Sequence, residues 1–212
     1  MHEEYCTLHT ASQDEFTEKR SRFIGYASPV TTEEEALAFI AKIKKQHWDA
    51  KHNVYAYVLR DGQIRRYSDD GEPQGTAGIP VLDVLVKRGI VDAVLVVTRY
   101  FGGILLGGGG LVRAYGHAAS IAVNAAGVEE RVLCDDVEVS CDYAQYGRVQ
   151  PLISAHGGVA EDTLYEDDVT IRFYIRRPNL EMLKKEITDA TAGSVDCVVR
   201  SQAFRSFLQK NQ

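Results

Sequence analysis

No stretch of this sequence is apolar for long enough to cross a bilayer. The most apolar run, residues 90–97, is interrupted by Asp92 and has the length of a strand. The chain opens MHEEYC, acidic where a secretory leader would be basic, so a cytoplasmic protein with no membrane association is expected. Cysteine is scarce. Cys6, Cys134, Cys141 and Cys197 stand far apart, with no CxxC pair and no histidines at ligand spacing. That argues against a disulfide scaffold or a structural zinc site and for reduced thiols. No serine or cysteine occupies a nucleophile elbow, so Cys6 and Cys134 are not read as nucleophiles. Excess positive charge is missing too: the net charge is -6 and neither half of the chain is basic. Indiscriminate binding to nucleic acid is therefore not expected, although a local basic patch is compatible with the composition. Neither GxxxxGKS/T nor a GxGxxG fingerprint occurs, which disfavours the usual ATP and NAD sites. No cofactor and no metal are assigned.

What is present describes a folded protein. Hydrophobic residues make up 45% and charged residues 25% of 212 positions, enough for one large domain or two small ones. A strand is expected over residues 16–28. A helix follows it, with Thr32 and Glu35 at capping-box spacing and Ala36, Leu37, Ile40 and Ile43 at helical period. Residues 54–60 and 64–67 alternate as strands around the turn signal Asp61-Gly62. A helix over 76–87 places Pro80 in its first turn. Residues 91–98 read as a central strand covered on both faces, and 111–126 as an alanine-rich helix ended by Gly127. From residue 131 the order is strand, helix (143–156, with Pro151 implying a kink or a later start), strands at 159–165 and 169–175, a helix opened by Pro178, and a last strand at 195–199. That βαββαβ order is the ferredoxin-like one. The expected domains are 1–130 and 131–212.

Thirteen of the 18 glycines fall between Gly62 and Gly127, too concentrated for turns alone. Gly102, Gly103, Gly107, Gly108, Gly109 and Gly110 lie between a buried strand and a helix, flanked by Arg99 and Arg113. Such a loop can aim backbone N–H groups and a helix N-terminus at an anion, a phosphate-bearing ligand or a nucleic-acid backbone. It can equally serve only a tight strand-to-helix crossing. The acidic stretch Asp69, Asp70 and Glu72 can hold a cation, act as a general base, cap the next helix or lie in solvent. Thr76 can cap that helix or touch a ligand. His52 is either a hydrogen-bonded histidine or a proton carrier. Lys19, Arg20 and Arg22 form a small basic run on the opening strand, solvated or in contact with nucleic acid. Tyr100, Phe101 and Tyr115 flank the loop, where they can pack or stack on a base.

Four segments carry a family resemblance: SRFIGYASPV (21–30), KHNVYAYVL (51–59), SDDGEPQGTAGIP (68–80) and VVTRYFGGILLGGGGLVRAYGHAA (96–119). They resemble the YigZ/IMPACT family. The resemblance implies an α+β protein: a two-layer α/β sandwich N-terminal domain of the ribosomal-protein and GHMP-kinase kind, then a ferredoxin-like domain similar to the last domain of elongation factor G. Fold kinship transfers no activity, and residues 107–110 do not match the GHMP phosphate motif. Eukaryotic members regulate translation by binding a protein partner of a stress kinase. Regulation of translation is thus expected by resemblance, with RNA, the ribosome or a translation-related protein as partner. The groove expected to engage it is lined by Arg99, Arg113, the glycine loop and the 19–22 strand. The alternative is an enzyme acting on a phosphorylated or nucleotide-like small molecule, with His52, Asp69, Asp70 and Glu72 handling protons or metal. It requires the acidic stretch and the glycine loop to face one cleft.

Overall fold

The structure, a computed structural model, describes residues 3–208. It divides into two compact units, one of Tyr5–Glu130 with Phe207 and Leu208, and one of Arg131–Ser206 with Glu3 and Glu4, so neither is a single continuous segment. In chain order the first elements are β1 (Glu4–Leu8), β2 (Ser12–Glu18), β3 (Ser21–Pro29), α1 (Glu33–Gln46), β4 (His52–Leu59), β5 (Ile64–Ser68), α2 (Gly78–Lys87), β6 (Ala93–Tyr100) and α3 (Gly108–Ala126). Five of the strands form an antiparallel sheet in the order β2-β3-β6-β4-β5. The unbroken apolar run of β6 follows from its central place. Ala93, Leu95 and Val97 pack in the core with α2 and α3, while Val94 and Val96 pack with Ala36, Ile40 and Ile43 of α1. Helices α2 and α3 form the second layer of the sandwich, and α1 covers the other face.

The capping of α1 is as its spacing predicts, with Thr32 Oγ1 accepting from Glu35 N at 3.2 Å. Leu37, expected in the apolar stripe, is half exposed. The first strand needs correction. Residues 16–28 are not one strand but parts of two, β2 and β3, reversed at Lys19 and Arg20 with Glu18 opposite Ser21. Both turn residues take positive φ, 45° and 65°. A two-residue hairpin requires that conformation, but Lys-Arg lacks the Asn-Gly signature that announces it. Lys19 and Arg20 therefore project from a hairpin tip, and only Arg22 lies on a strand.

In the second unit β7 (Val128–Cys141), α4 (Tyr143–Ala155), β8 (Val159–Tyr165), β9 (Val169–Arg176), α5 (Arg177–Ala190) and β10 (Cys197–Leu208) follow one another. Its sheet has five strands, in the order β1-β7-β9-β8 with β10 also paired to β7, and the β10-β7-β9-β8 part has the ferredoxin-like order. Val137, Val139, Ile171 and Phe173 meet Val149, Ile153, Leu183 and Ile187 in one apolar core. Pro151 neither breaks α4 nor delays its start. The helix begins at Tyr143 behind a capping box in which Asp142 accepts from Gln145 N at 2.7 Å. The last strand starts later than expected and runs to Leu208, because polar pairing rather than apolar alternation holds it. Arg200 bonds Glu138 at 2.7 Å, and Ser201 and Arg205 each bond Asp136 at 2.6 Å. Among the described residues, no helix is long and apolar enough to cross a membrane.

The alanine face of α3 sits directly on β3. A Cβ built on Gly25 would stand 2.3 Å from the Ala118 carbonyl oxygen, far inside van der Waals contact. Gly25→Ala must therefore push α3 off the sheet, and a loss of about 3 kcal/mol is expected. Urea unfolding checks it, through a lower midpoint at unchanged slope.

Candidate functional site

The site grows from the junction of β4 and β6. Antiparallel register sets His52 opposite Arg99 and Asn53 opposite Thr98, so the start of one strand lies beside the end of the other. The acidic turn after β5 is tied to the same place. Asp70 accepts from Asn53 N and from Lys44 Nζ, both at 2.7 Å. Asp69 accepts from Gly75 N, Ala77 N and Gly78 N at 2.9, 3.1 and 2.8 Å, supplying the cap of α2 that Ala77 lacks. Thr76 takes no part in that cap: its hydroxyl donates to the Pro73 carbonyl at 2.6 Å. Two of the three candidate carboxylates are thus spent on the scaffold.

The third, Glu72, is turned inward. Its Oε1 accepts from Arg99 Nη1 at 2.5 Å and from the Tyr115 hydroxyl at 2.8 Å. Side-chain exposure is 4% for Glu72 and 6% for Arg99, so the pair is buried. Burial, then the neighbouring Glu72 carboxylate and the hydrogen bond to it, hold the Tyr115 hydroxyl far above the ordinary phenol range. It remains a donor. Arg99 Nε is buried without a hydrogen-bond partner among the described residues. His52 completes the group: its Nδ1 lies 2.8 Å from the Asp70 carbonyl and its Nε2 3.8 Å from Glu72 Oε1. A carbonyl can only accept, so Nδ1 carries a proton, and the tautomer this selects has its lone pair at Nε2.

His52, Glu72 and Arg99 line a cleft of about 400 Å³ together with Lys51, Pro73, Phe101, Leu105, Leu106, Gly107, Gly108 and Leu111. Of the acidic stretch only Glu72 faces the same cleft as Gly107 and Gly108; Asp69 and Asp70 do not line it, so the enzyme reading keeps one of its three carboxylates there. A second cleft of about 300 Å³ lies on the other side of Leu106, which walls both. It is lined by Lys19, Arg113, His117 and Gly110, with Glu18 and Phe16. The expected single groove is therefore two. Arg99 belongs to the first and is matched by Glu72, whereas Lys19 and Arg113 belong to the second. Neither of these has an ion-pair partner among the described residues. Arg22 is outside both clefts and is paired with Glu15 at 2.6 Å. Arg20 lines neither cleft and packs on Gly102, where a Cβ would strike its carbonyl at 2.0 Å.

The remaining glycines separate by cause. Gly103 takes a φ of 83° in the open 101–107 segment. Residues 108–110, read from sequence as loop, are the first turn of α3, because Gly107 rather than Leu111 begins the helix. Gly107 has φ 73° and ψ 164°, a conformation essentially reserved to glycine. A Cβ on Gly110 would meet Leu106 Cβ at 2.9 Å. Gly108 and Gly109 have neither reason, since their nearest neighbours would be Thr76 Cγ2 at 3.9 Å and Arg113 Nη1 at 3.7 Å. Glycine there costs a helix about 1 kcal/mol per position relative to alanine. What it leaves is bare backbone at an N-terminus without a side-chain cap.

Tyr115, expected at the loop's flank, is instead the buried donor to Glu72. Tyr100 is held away from the clefts by His47 at 2.9 Å and Asp49 at 3.0 Å. Ser21 went unnoticed in the sequence: it is buried, accepts from Gly102 N at 3.2 Å and lies 3.5 Å from Arg99 Nη2. Lys51 and His117 also went unnoticed, and only their places around the clefts mark them. All four cysteines are free. Burial raises the thiol pKa of Cys134 and Cys141, and that of Cys197 to about 11. Among the described residues no three His, Cys, Asp or Glu side chains gather as a metal site.

Residues 19–123 match the Impact N-terminal domain and 139–194 a domain of unknown function (DUF1949). The chain is 42% identical to the IMPACT family member YvyE of Bacillus subtilis (strain 168) over 193 residues, which cover 91% of this chain and 89% of the relative. It is 33% identical to the IMPACT family member YigZ of Escherichia coli (strain K12), with 84% and 88% covered. Protein IMPACT of Mus musculus is 35% identical over 43% of this chain and 30% of its own length. A solved structure titled "Crystal structure of an hypothetical protein" superposes with a TM-score of 0.60 at 30% identity, covering 95% of this chain and 99% of that one.

Removing Glu72 strands a buried guanidinium, so Glu72→Ala is expected to cost about 3 kcal/mol or more. Adding Arg99→Met should cost less than the sum of the two single changes. A double-mutant cycle by urea unfolding measures that coupling.

Proposed function

The chain belongs to the IMPACT family, and on that premise we propose that it is a translation-linked binding protein that engages an RNA backbone at the start of α3. One observation carries the reading: Gly108 and Gly109 have no demand from the fold, yet they keep side chains off the free amides of a helix N-terminus. Backbone donors and the positive end of the helix dipole favour a phosphate there. Lys19 and Arg113 in the adjoining cleft supply charge that no carboxylate of the described residues has taken. This is a local patch on a chain of net charge -6, so binding depends on these few groups rather than on the field of the whole molecule. The translational role comes from the family resemblance, and the choice of RNA from the chemistry of the patch.

The enzyme reading keeps one observation in its favour, the facing of His52 and Glu72 toward the glycine segment. It would be carried by turnover of a phosphorylated substrate that His52→Ala abolishes.

The binding reading makes opposed demands on one substitution. Gly109→Ala should raise stability by about 0.5–1 kcal/mol, since the new Cβ has room and alanine favours the helix. The same change should weaken single-stranded RNA binding at low salt. Lys19→Ala and Arg113→Ala should each lower the slope of log affinity against log salt by about one. Fluorescence anisotropy over a salt series reads both effects. Absence of RNA binding at low salt, or affinity indifferent to all three changes, rules the reading out.

A further inference from the structure

The first cleft has a floor that accepts hydrogen bonds and walls that are apolar. His52 is 8% exposed, and its Nε2 makes no hydrogen bond among the described residues. The two donors that reach Glu72, Arg99 Nη1 and Tyr115, both address Oε1, and Oε2 takes none among the described residues. Two acceptors of one cleft therefore lack donors. Above them stand Phe101, Leu105 and Leu106, with Leu105 82% exposed and Phe101 45% exposed. Gly107, Gly108 and Lys51 line the same cleft and suit an anion.

A ligand complementary to this arrangement has flat apolar faces, two adjacent N–H donors on one edge, and a phosphate. Among the nucleobases only guanine presents adjacent donors, N1–H and the 2-amino group. Uracil has one N–H between two carbonyls, which would face the acceptors. Adenine and cytosine each have a single amino donor beside a ring acceptor. A cleft of about 400 Å³ is within the range of small-ligand sites.

We propose that the cleft between His52 and Gly108 binds a guanine nucleotide, with its N1–H and 2-amino edge on His52 Nε2 and Glu72 Oε2 and its phosphate at Gly107, Gly108 and Lys51. This deepens the binding reading by naming the base that an RNA would deliver beside the backbone contact, and it rests on that reading for the RNA. The shared wall at Leu106 lets one strand occupy both clefts: an unstacked base in the first and a neighbouring phosphate at Lys19 and Arg113.

The test uses the full chain and free 5′-monophosphates, by isothermal titration calorimetry. GMP should bind about tenfold or more tightly than IMP, which lacks only the 2-amino group, and by a similar margin over AMP and UMP. His52→Phe should bring GMP down toward IMP, while Lys185→Ala, on α5 and outside both clefts, leaves GMP affinity unchanged. Equal affinity for the four nucleotides, no GMP binding at millimolar concentration, or inorganic phosphate binding as well as GMP would overturn the proposal. If His52→Phe fails to fold, the comparison of GMP with IMP on the unaltered chain still decides. The two readings fail separately. RNA binding that depends on Lys19 and Arg113 without guanine preference removes the base site alone. GMP preference without RNA affinity removes the RNA reading and leaves a nucleotide site.

Discussion

The buried ion pair between Glu72 and Arg99 is the contact around which the clefted end of the first unit's sheet is arranged. Arg99 sits at the end of the central strand and Glu72 in a turn between β5 and α2, and neither is stable alone in so dry a place. Such a pair adds little net stability over an apolar replacement, because desolvating two ions offsets most of their attraction. Its consequence is geometric. It sets the acidic turn against the strand end, brings Tyr115 of α3 to the same carboxylate oxygen, and leaves the second oxygen and His52 facing a cleft.

The rest of the turn works as scaffold for that placement. Asp69 supplies the cap for α2, and Asp70 joins the turn to β4 and to Lys44 of α1. The Asp70 carbonyl also fixes which nitrogen of His52 carries the proton. Three neighbouring acidic residues thus have three different roles, set by which donors each one meets. The glycines divide similarly. Gly107 answers to backbone conformation, and Gly102 and Gly110 to close neighbours. Gly108 and Gly109 answer to neither: a Cβ would have room at both, and their helix N-terminus carries no side-chain cap.

Much of the fold is legible in the residues themselves. β6 reads as central because both its faces are apolar, and α1 announces its start through Thr32 and Glu35. The misses share a physical origin. The reversal at Lys19-Arg20 has no local turn signature, and tertiary pairing of β2 with β3 imposes its positive φ. The length of β10 comes from ion pairs with β7, which leave no apolar period to see. Leu37 keeps the helical period but stays half exposed, at the edge of the face that α1 buries.

By itself the sequence determines the family, the order of elements from α1 onward, and the segment where backbone is left bare; the strand at Glu4–Leu8 and the β2-β3 hairpin it does not show. Those properties are local, written in periodicity, caps and glycine placement. Tertiary structure alone decides which carboxylate turns inward, and that Arg99 and Arg113 serve different clefts. Glu72 lies 27 residues from Arg99 and 43 from Tyr115, so nothing local to the acidic turn distinguishes it from Asp69 or Asp70. Only when the sheet brings those partners within hydrogen-bonding reach does one of three similar carboxylates become part of a site.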